Sequence, residues 1–472
     1  MKKFIRVVQT AAFCMLLFAA LVYVSNILER KESVVKYGPL MKAEQDYDVL
    51  FVGNSHMVNG VFPMELWHDY GIASYNIAGY GNTLPVSYWA MRNAFDYQKP
   101  KLMVIDILDV GKKNKLTGSS GDLHKSLDCY PLGITKIQAV MDLIDDPYAV
   151  DDDGNYYVDM KWEYLFPIGK YHSRWNELGQ NDFTTQLNRQ KGAEAVVAVA
   201  KPRDYEILED GYATEEDGWG FAYLRRMIEE CQAMGIEVLL TYLPHPSSEE
   251  QQHEANAVRW IAEEYGVNFV DLVYMDQVVD YETDLFDAFS HLNPSGAKKV
   301  TDFLGRYITE HYDIPDRRTD EEYQVWHTDY REYVNDKAKA IVNQGKLENV
   351  LALLHDNSFD LNLYVAEDSG LYDNEKLMLL LHNIAREHVF EEDEFVKYSS
   401  SMFPLSVLDE AAASGDAYFA QLSGPGSPVQ EYSGEEAMQL AAEYFPDMPD
   451  DAQVGIEVTS KLTGERVMYR CF

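Results

Sequence analysis

The pattern of hydrophobic and polar positions divides this chain into three regimes. The first is a single apolar stretch: Val7 to Leu28 is 22 positions without a charged residue. That makes about 33 Å of helix at roughly 1.5 Å per residue, and a bilayer core is about 30 Å thick, so the stretch can span a membrane once. The second regime alternates short apolar runs with amphipathic stretches. Asp48 to Gly53, Ala73 to Ile77 and Leu102 to Leu108 read as buried strands, with Pro63 to Tyr70 and Leu84 to Gln98 as the helices between them. The alternation breaks at residue 111 and resumes near 217. It then gives a helix from Phe221 to Gly235, a strand from Ile236 to Tyr242 and a helix from Glu254 to Tyr265. A strand from Val267 to Leu272 and a helix from Pro294 to His311 complete it. Such alternation predicts an α/β fold with a mainly parallel sheet. Residues 111–215 are longer than a crossover needs and read as an insertion. The third regime follows a polar, Pro-containing boundary at about 313–322. Residues 323–472 open on helix, through Leu351 to Leu354, and alternate like strands at Asp360 to Ala366 and Val454 to Thr459. They read as a small α+β unit that binds or packs.

Charge orients the apolar stretch. Lys2, Lys3 and Arg6 precede it, which favours a cytoplasmic tail at residues 1–6 and an extracytoplasmic body, although Arg30, Lys31 and Lys36 follow. A cleaved signal peptide is the rival reading. Against it, Ala20 is followed by Leu21, Val22 and Tyr23 rather than by a small-x-small site. Cys14 lies inside the apolar run rather than after it, which does not suit a lipoprotein site. The expectation is an uncleaved single-pass anchor at residues 7–28 in the cell membrane.

The chain holds 78 acids against 40 bases, a formal net charge of -38. A surface this negative repels phosphate backbones, so nucleic acid is not an expected partner. Residues 321–472 carry 29 of the acids and 10 of the bases, about half of the excess. The four cysteines, Cys14, Cys129, Cys231 and Cys471, show neither a disulfide framework nor a metal-ligand spacing. Asp151-Asp152-Asp153 resembles a calcium loop only loosely, because Tyr156 stands where that loop needs Gly. A solvated turn is the simpler reading, and neither metal nor cofactor is called for. The 33 Tyr and 7 Trp exceed what a core usually needs; sugar-facing clefts use such rings, and so do ordinary cores.

Candidate chemistry lies at the ends of the predicted strands. The first strand runs into Gly53-Asn54-Ser55-His56, which places Ser55 at the carboxyl edge of the sheet, where open α/β sheets bind ligands. N–H groups at that turn favour developing negative charge. The second strand ends in Ile77-Ala78-Gly79-Tyr80-Gly81-Asn82, whose glycines let a backbone N–H approach the same point. The fifth strand is followed by Asp284-Leu285-Phe286-Asp287-Ala288-Phe289-Ser290-His291-Leu292-Asn293. A His with an Asp several residues earlier suits a general base and its orienter. Each feature alone is an ordinary turn or cap; in a parallel sheet all three loops share one edge and can converge.

This combination resembles the SGNH, or GDSL-like, hydrolase superfamily. The resemblance implies a flavodoxin-like three-layer α/β/α fold over roughly residues 40–312. Ser55 matches the nucleophile, His291 the base, and Gly79 or Gly81 the second oxyanion donor beside Ser55. The stretches Asp48 to Val110, His291 to Ala297 and Tyr171-His172-Ser173-Arg174-Trp175 look most like a membrane-anchored bacterial branch. That branch resembles the D-alanyl-transfer protein of lipoteichoic acid synthesis and polysaccharide O-acetyltransferases. The implied activity is that of a serine esterase or O-acyltransferase without a cofactor. Its implied partners are an acyl donor, a cell-surface glycan or teichoic acid acceptor, and a membrane acyl-transfer protein. His56, His172, Arg174 and Trp175 are the candidate substrate-binding residues. Two departures stand out. The usual Asp three before the His is Ala288 here, so Asp287 is taken as the orienter with Asp284 as the alternative. The third-block Asn is missing, which leaves two backbone donors or Asn82 to complete the oxyanion hole. A catalytically silent scaffold in an envelope-polymer assembly is the reading from another class.

Overall fold

In the computed structural model the described residues are 2–41, 45–184, 188–208, 211–274, 278–355, 357–385, 388–391, 397–400 and 405–472; Met1 of the expected tail lies outside them. The chain opens with α1 (Lys2–Leu28), the one helix among them long and apolar enough to cross a membrane, and α2 (Lys31–Met41). The α/β unit follows as β1 (Val49–Val52), α3 (Ser55–Gly60), α4 (Pro63–Tyr70), β2 (Ser74–Asn76), α5 (Leu84–Phe95) and β3 (Leu102–Asp106). The insertion contributes α6 (Ser120–Leu127), α7 (Ile134–Leu143), α8 (Lys161–Leu165) and α9 (Ile168–Tyr171). The unit then resumes with α10 (Trp219–Ala233), β4 (Glu237–Tyr242), α11 (Glu249–Tyr265), β5 (Asn268–Asp271) and α12 (Pro294–His311).

These five strands form one parallel sheet in the order β2-β1-β3-β4-β5, the doubly wound arrangement in which the order reverses between β1 and β3. The two-residue period of the strands decides what each face meets. Val49, Phe51, Val104 and Leu239 point to the side covered by α3 and α12, where Met57, Val58, Ala297, Val300 and Leu304 complete the packing. Leu50, Val52, Met103, Ile105 and Leu240 point to the other side, against α5, α10 and α11. The third strand is shorter than its apolar run suggests: it ends at Asp106, although Ile107 N–H still bonds the Thr241 carbonyl of β4 at 2.9 Å.

The C-terminal part comprises α13 (Gln324–Asn343), α14 (Leu347–Leu353), β6 (Phe359–Val365), α15 (Glu375–Ala385), β7 (His388–Glu391), β8 (Lys397–Ser400) and α16 (Ser406–Ser414). It ends with β9 (Tyr418–Leu422), β10 (Gln430–Ser433), α17 (Gly434–Tyr444), β11 (Val454–Ser460) and β12 (Arg466–Cys471). Its main sheet is antiparallel, in the order β10-β9-β6-β11-β12. This unit shares a core with the first. Trp326 of α13 packs on Trp67 and Tyr47, and Tyr333 and Lys337 each donate to the buried Glu65 carboxylate at 2.9 Å. Asn383 of α15 donates 2.9 Å to Thr283 Oγ1, beside the loop that carries Asp287 and His291.

Candidate active site

Ser55 stands where β1 gives way to α3, next to the point at which the strand order reverses. Gly53 makes the approach close: its φ is +157°, and a Cβ there would lie 2.9 Å from that of Asp106 at the end of β3. Its carbonyl accepts from Gly79 N–H at 3.2 Å and from the Ser87 hydroxyl at 3.3 Å, which fixes the turn. Asn54 then caps α3, its Oδ1 accepting His56 N–H at 2.9 Å.

The partner loop is closed by a β-bridge between Leu285 and Leu292 and a 3.0 Å bond from Phe286 N–H to the His291 carbonyl. Asp287 lies inside this loop. Its Oδ1 accepts the N–H groups of Phe289 and Ser290 at 2.9 Å and of His291 at 3.2 Å, and its Oδ2 accepts His291 Nδ1–H. The other ring nitrogen, Nε2, stands 2.7 Å from Ser55 Oγ. Phe286 stacks on the imidazole, centroids 5.1 Å apart. Partial burial pushes the Asp287 carboxyl up, but the His291 bond and the backbone N–H groups outweigh it and hold the group well below the usual carboxylate range. The extra loop residue relative to the three-residue spacing is absorbed by this turn. Asp284 faces elsewhere. It is fully buried, paired with Lys299 Nζ at 2.6 Å and accepting from Ser295 Oγ at 2.9 Å, and it belongs to the core under α12.

The oxyanion candidates divide. Gly79 was expected as a donor, but its N–H is committed to the Gly53 carbonyl. Gly81 takes a left-handed φ of +67° and packs on Asp122, so its glycine character serves the turn. Asn82 lies against Gly79, where a Cβ would be 2.6 Å from Asn82 Nδ2. The Ser126 hydroxyl donates to Asn82 Oδ1 at 2.5 Å, while Nδ2 is buried without an acceptor among the described residues. Among the described residues the donors left at this edge are Asn82 Nδ2, the Ser55 N–H that opens α3 and the Gly81 N–H.

Three buried groups surround the pair, and only His56 is anticipated by the sequence reading. His56 is 2% exposed, and neither ring nitrogen has a partner among the described residues. Its ring centroid lies 4.6 Å from His245 and 5.6 Å from His291. Burial, with the two neighbouring imidazoles, holds it well below the usual imidazole range. His245 Nδ1–H donates to the Leu243 carbonyl at 3.0 Å, which leaves Nε2 to accept from Tyr242 OH at 3.3 Å, and burial pushes the imidazole down to about 4. Asp106 accepts Leu243 N–H at 3.3 Å through Oδ1, leaves Oδ2 unpartnered, and is pushed up to about 7 by burial. Two imidazoles held neutral by burial and a carboxyl whose protonated form burial favours thus line the Ser55 edge. His245 follows the fourth strand in Pro244-His245-Pro246 and Asp106 ends the third, so the strand-end rule that singled out Ser55 applied to both.

The remaining predicted residues are not brought here. His172 is exposed and bonds the Gly169 carbonyl at 2.9 Å. Arg174 donates to the carbonyls of Leu28 and Glu29 at the end of α1 and to Asp182 Oδ1 at 3.0 Å, and Trp175 faces solvent beside it. What the insertion does bring to the site is its extended tail. Glu194 N–H bonds the Val58 carbonyl, Ala200 N–H that of Leu285 and Arg203 N–H that of Ala288, at 2.8–3.0 Å. The tail thus straps α3 to the Asp287 loop. In the acidic run, Asp151 is buried and its Oδ1 accepts the N–H groups of Asp153 and Asn155, closing a turn.

No protein-family model matches this chain, and a search of curated proteins finds no match.

Proposed function

We propose that this chain is a membrane-anchored serine esterase or O-acyltransferase of the SGNH type, with its catalytic unit outside the cytoplasm, acting on cell-surface glycan or teichoic acid. The observation that carries the reading is Ser55 Oγ at 2.7 Å from His291 Nε2, with Nδ1 of the same ring held by Asp287. Strand order β2-β1-β3-β4-β5, that of flavodoxin-like folds, and the resemblance in the strand-end loops support it. A hydroxyl is a weak nucleophile until a base takes its proton. In the proposed reaction His291 Nε2 takes the Ser55 proton as Oγ attacks an ester or thioester carbonyl, and Asp287 holds the tautomer and stabilises the imidazolium. The oxyanion accepts from Ser55 N–H and Asn82 Nδ2. His291 returns its proton to the leaving group, and the acyl group rests on Ser55. An acceptor hydroxyl, deprotonated by the same Nε2, then takes the acyl group; water in its place gives hydrolysis.

One observation favours the silent-scaffold reading: Gly79 N–H, which with Gly81 was one of the two second donors expected by resemblance, is bonded to the Gly53 carbonyl. A tagged fluorophosphonate separates the two. The enzyme reading expects covalent labelling of the wild type at Ser55 and none of Ser55→Ala. An unlabelled, folded wild type would establish the scaffold.

A further inference from the structure

The apolar helix α1 does not leave the body of the protein at Leu28. Phe18, ten residues earlier, meets Phe166 edge-on with ring centroids 6.4 Å apart, and Phe166 stacks on Trp162 at 6.0 Å. Ser25 Oγ accepts Ile168 N–H at 3.0 Å, and Arg174 donates to the Leu28 carbonyl at 2.5 Å. Ten residues are about 15 Å of helix, half of a bilayer core of about 30 Å. A membrane that takes in Val7 to Leu28 therefore also takes in the turn between α8 and α9.

The surface of that turn has the composition of a membrane interface. Trp162 is 70% exposed and Trp175 56% exposed. Trp162 stands level with Phe166, and Trp175 lies beside Arg174 at the end of α1, the headgroup level at which Trp side chains gather. Lys170, near the Ile168–Ser25 contact at the end of α1, keeps its charge in the headgroup region, while Lys161 and Glu163 flank Trp162. Helix α7, which packs beside α8, adds an exposed apolar row of Ile134, Ile137 and Met141 on one helix face. A helix face turned to water does not ordinarily carry such a row.

We infer that the insertion is a second membrane attachment, its α8–α9 turn seated in the leaflet next to the catalytic unit with Trp162 and Phe166 among the lipid chains. The occupant of this face is phospholipid, because the face is continuous with the span of α1 and shares its apolar rings. The inference rests on α1 crossing the membrane, as in the proposed function. Two attachments prevent the body from swivelling on a single helix and hold the Ser55 edge at a fixed height, which favours acceptors that are themselves membrane-linked.

Full-length protein in phosphatidylcholine vesicles, with and without brominated acyl chains, tests this. No tryptophan lies in α1, so bromine quenching of tryptophan emission reports on the body alone. Bromolipid is expected to quench the wild type, Trp162→Phe to lose the larger part of that quenching, and Trp260→Phe, on α11, to lose none. Flotation of the same vesicles reads the anchor separately. A chain that floats with identical quenching in wild type and Trp162→Phe overturns the second attachment and leaves the anchor standing; so does a floating chain without quenching, which would place a protein on this face. A chain that does not float with vesicles overturns both.

Discussion

Replacing Asp287 by Asn separates a working triad from a chance alignment. Asn retains an Oδ1 that can accept the N–H groups of Phe289, Ser290 and His291, so the turn survives. The atom that faced His291 Nδ1 becomes an NH2 donor. The imidazole then accepts at Nδ1 and carries its proton on Nε2, 2.7 Å from Ser55 Oγ, where the reaction needs a lone pair. Restoring the productive tautomer sets two donors against each other and removes the charge that stabilises the imidazolium. The expected cost is about 3 to 5 kcal/mol, or roughly 10² to 10⁴ in rate. Asp284→Asn provides the contrast. It leaves Lys299 buried without its carboxylate partner. Breaking such a pair costs about 3 to 5 kcal/mol of stability, while the triad is untouched. The assay is the second-order rate of fluorophosphonate labelling at Ser55, with hydrolysis of a small acetyl ester, each normalised to folded protein by thermal unfolding. Asp287→Asn labelling at the wild-type rate in a folded protein would refute the triad. A slower Asp284→Asn than Asp287→Asn, at equal folded fraction, would refute the assignment of the orienter.

Asn82→Ala is expected to lower kcat on the acetyl ester by about 10² to 10³ with folding retained, the usual loss for one oxyanion donor; an unchanged kcat removes Asn82 from that role. Asp106 is raised from 3.8 to about 7, so its protonated form is favoured in the folded state. Its contribution is intact below pH 3.8 and is lost as pH rises toward 7; the unfolding free-energy advantage of Asp106→Asn is therefore expected to grow through that window, by about 1.4 kcal/mol per pH unit at most, and a pH-independent difference would contradict this. A chain ending at Asp320 loses Trp326 from the shared core and leaves Glu65 without Tyr333 and Lys337. It is expected to unfold without a cooperative transition and to escape Ser55 labelling, although no triad residue has been removed; a labelled, cooperatively folded truncation would show the two units to be independent.

The strands of the parallel sheet were legible because their signal is local. Val49 to Val52, Leu102 to Asp106 and Glu237 to Tyr242 are apolar runs bounded by turn residues, and a strand buried on both faces needs no more than that. The apolar span of α1 was legible for the same reason, and Ser55 and His291 were legible as candidates because strand ends of a parallel sheet share one edge. The site residues that went unseen act through space. His245 and Asp106 become notable only when their strands lie beside β1, and Gly79 loses its expected role to a hydrogen bond with Gly53, 26 positions away in sequence.

Tertiary structure also decided matters that no spacing could. Both Asp284 and Asp287 stand at workable distances along the chain from His291; burial against Lys299 takes one, and a turn of three N–H groups aims the other. The motif Tyr171 to Trp175 carries side chains suited to an anionic acceptor, yet Arg174 meets the carbonyls at the end of α1. The polar boundary at 313–322 marks a change of composition, while the core runs through it from Trp67 to Trp326. Sequence determines which segments must be buried and which residue types can do chemistry, because periodicity and residue type are properties of the chain itself. It does not determine which of several competent groups is left unpaired at the site, because that depends on which partners the fold brings within hydrogen-bonding distance.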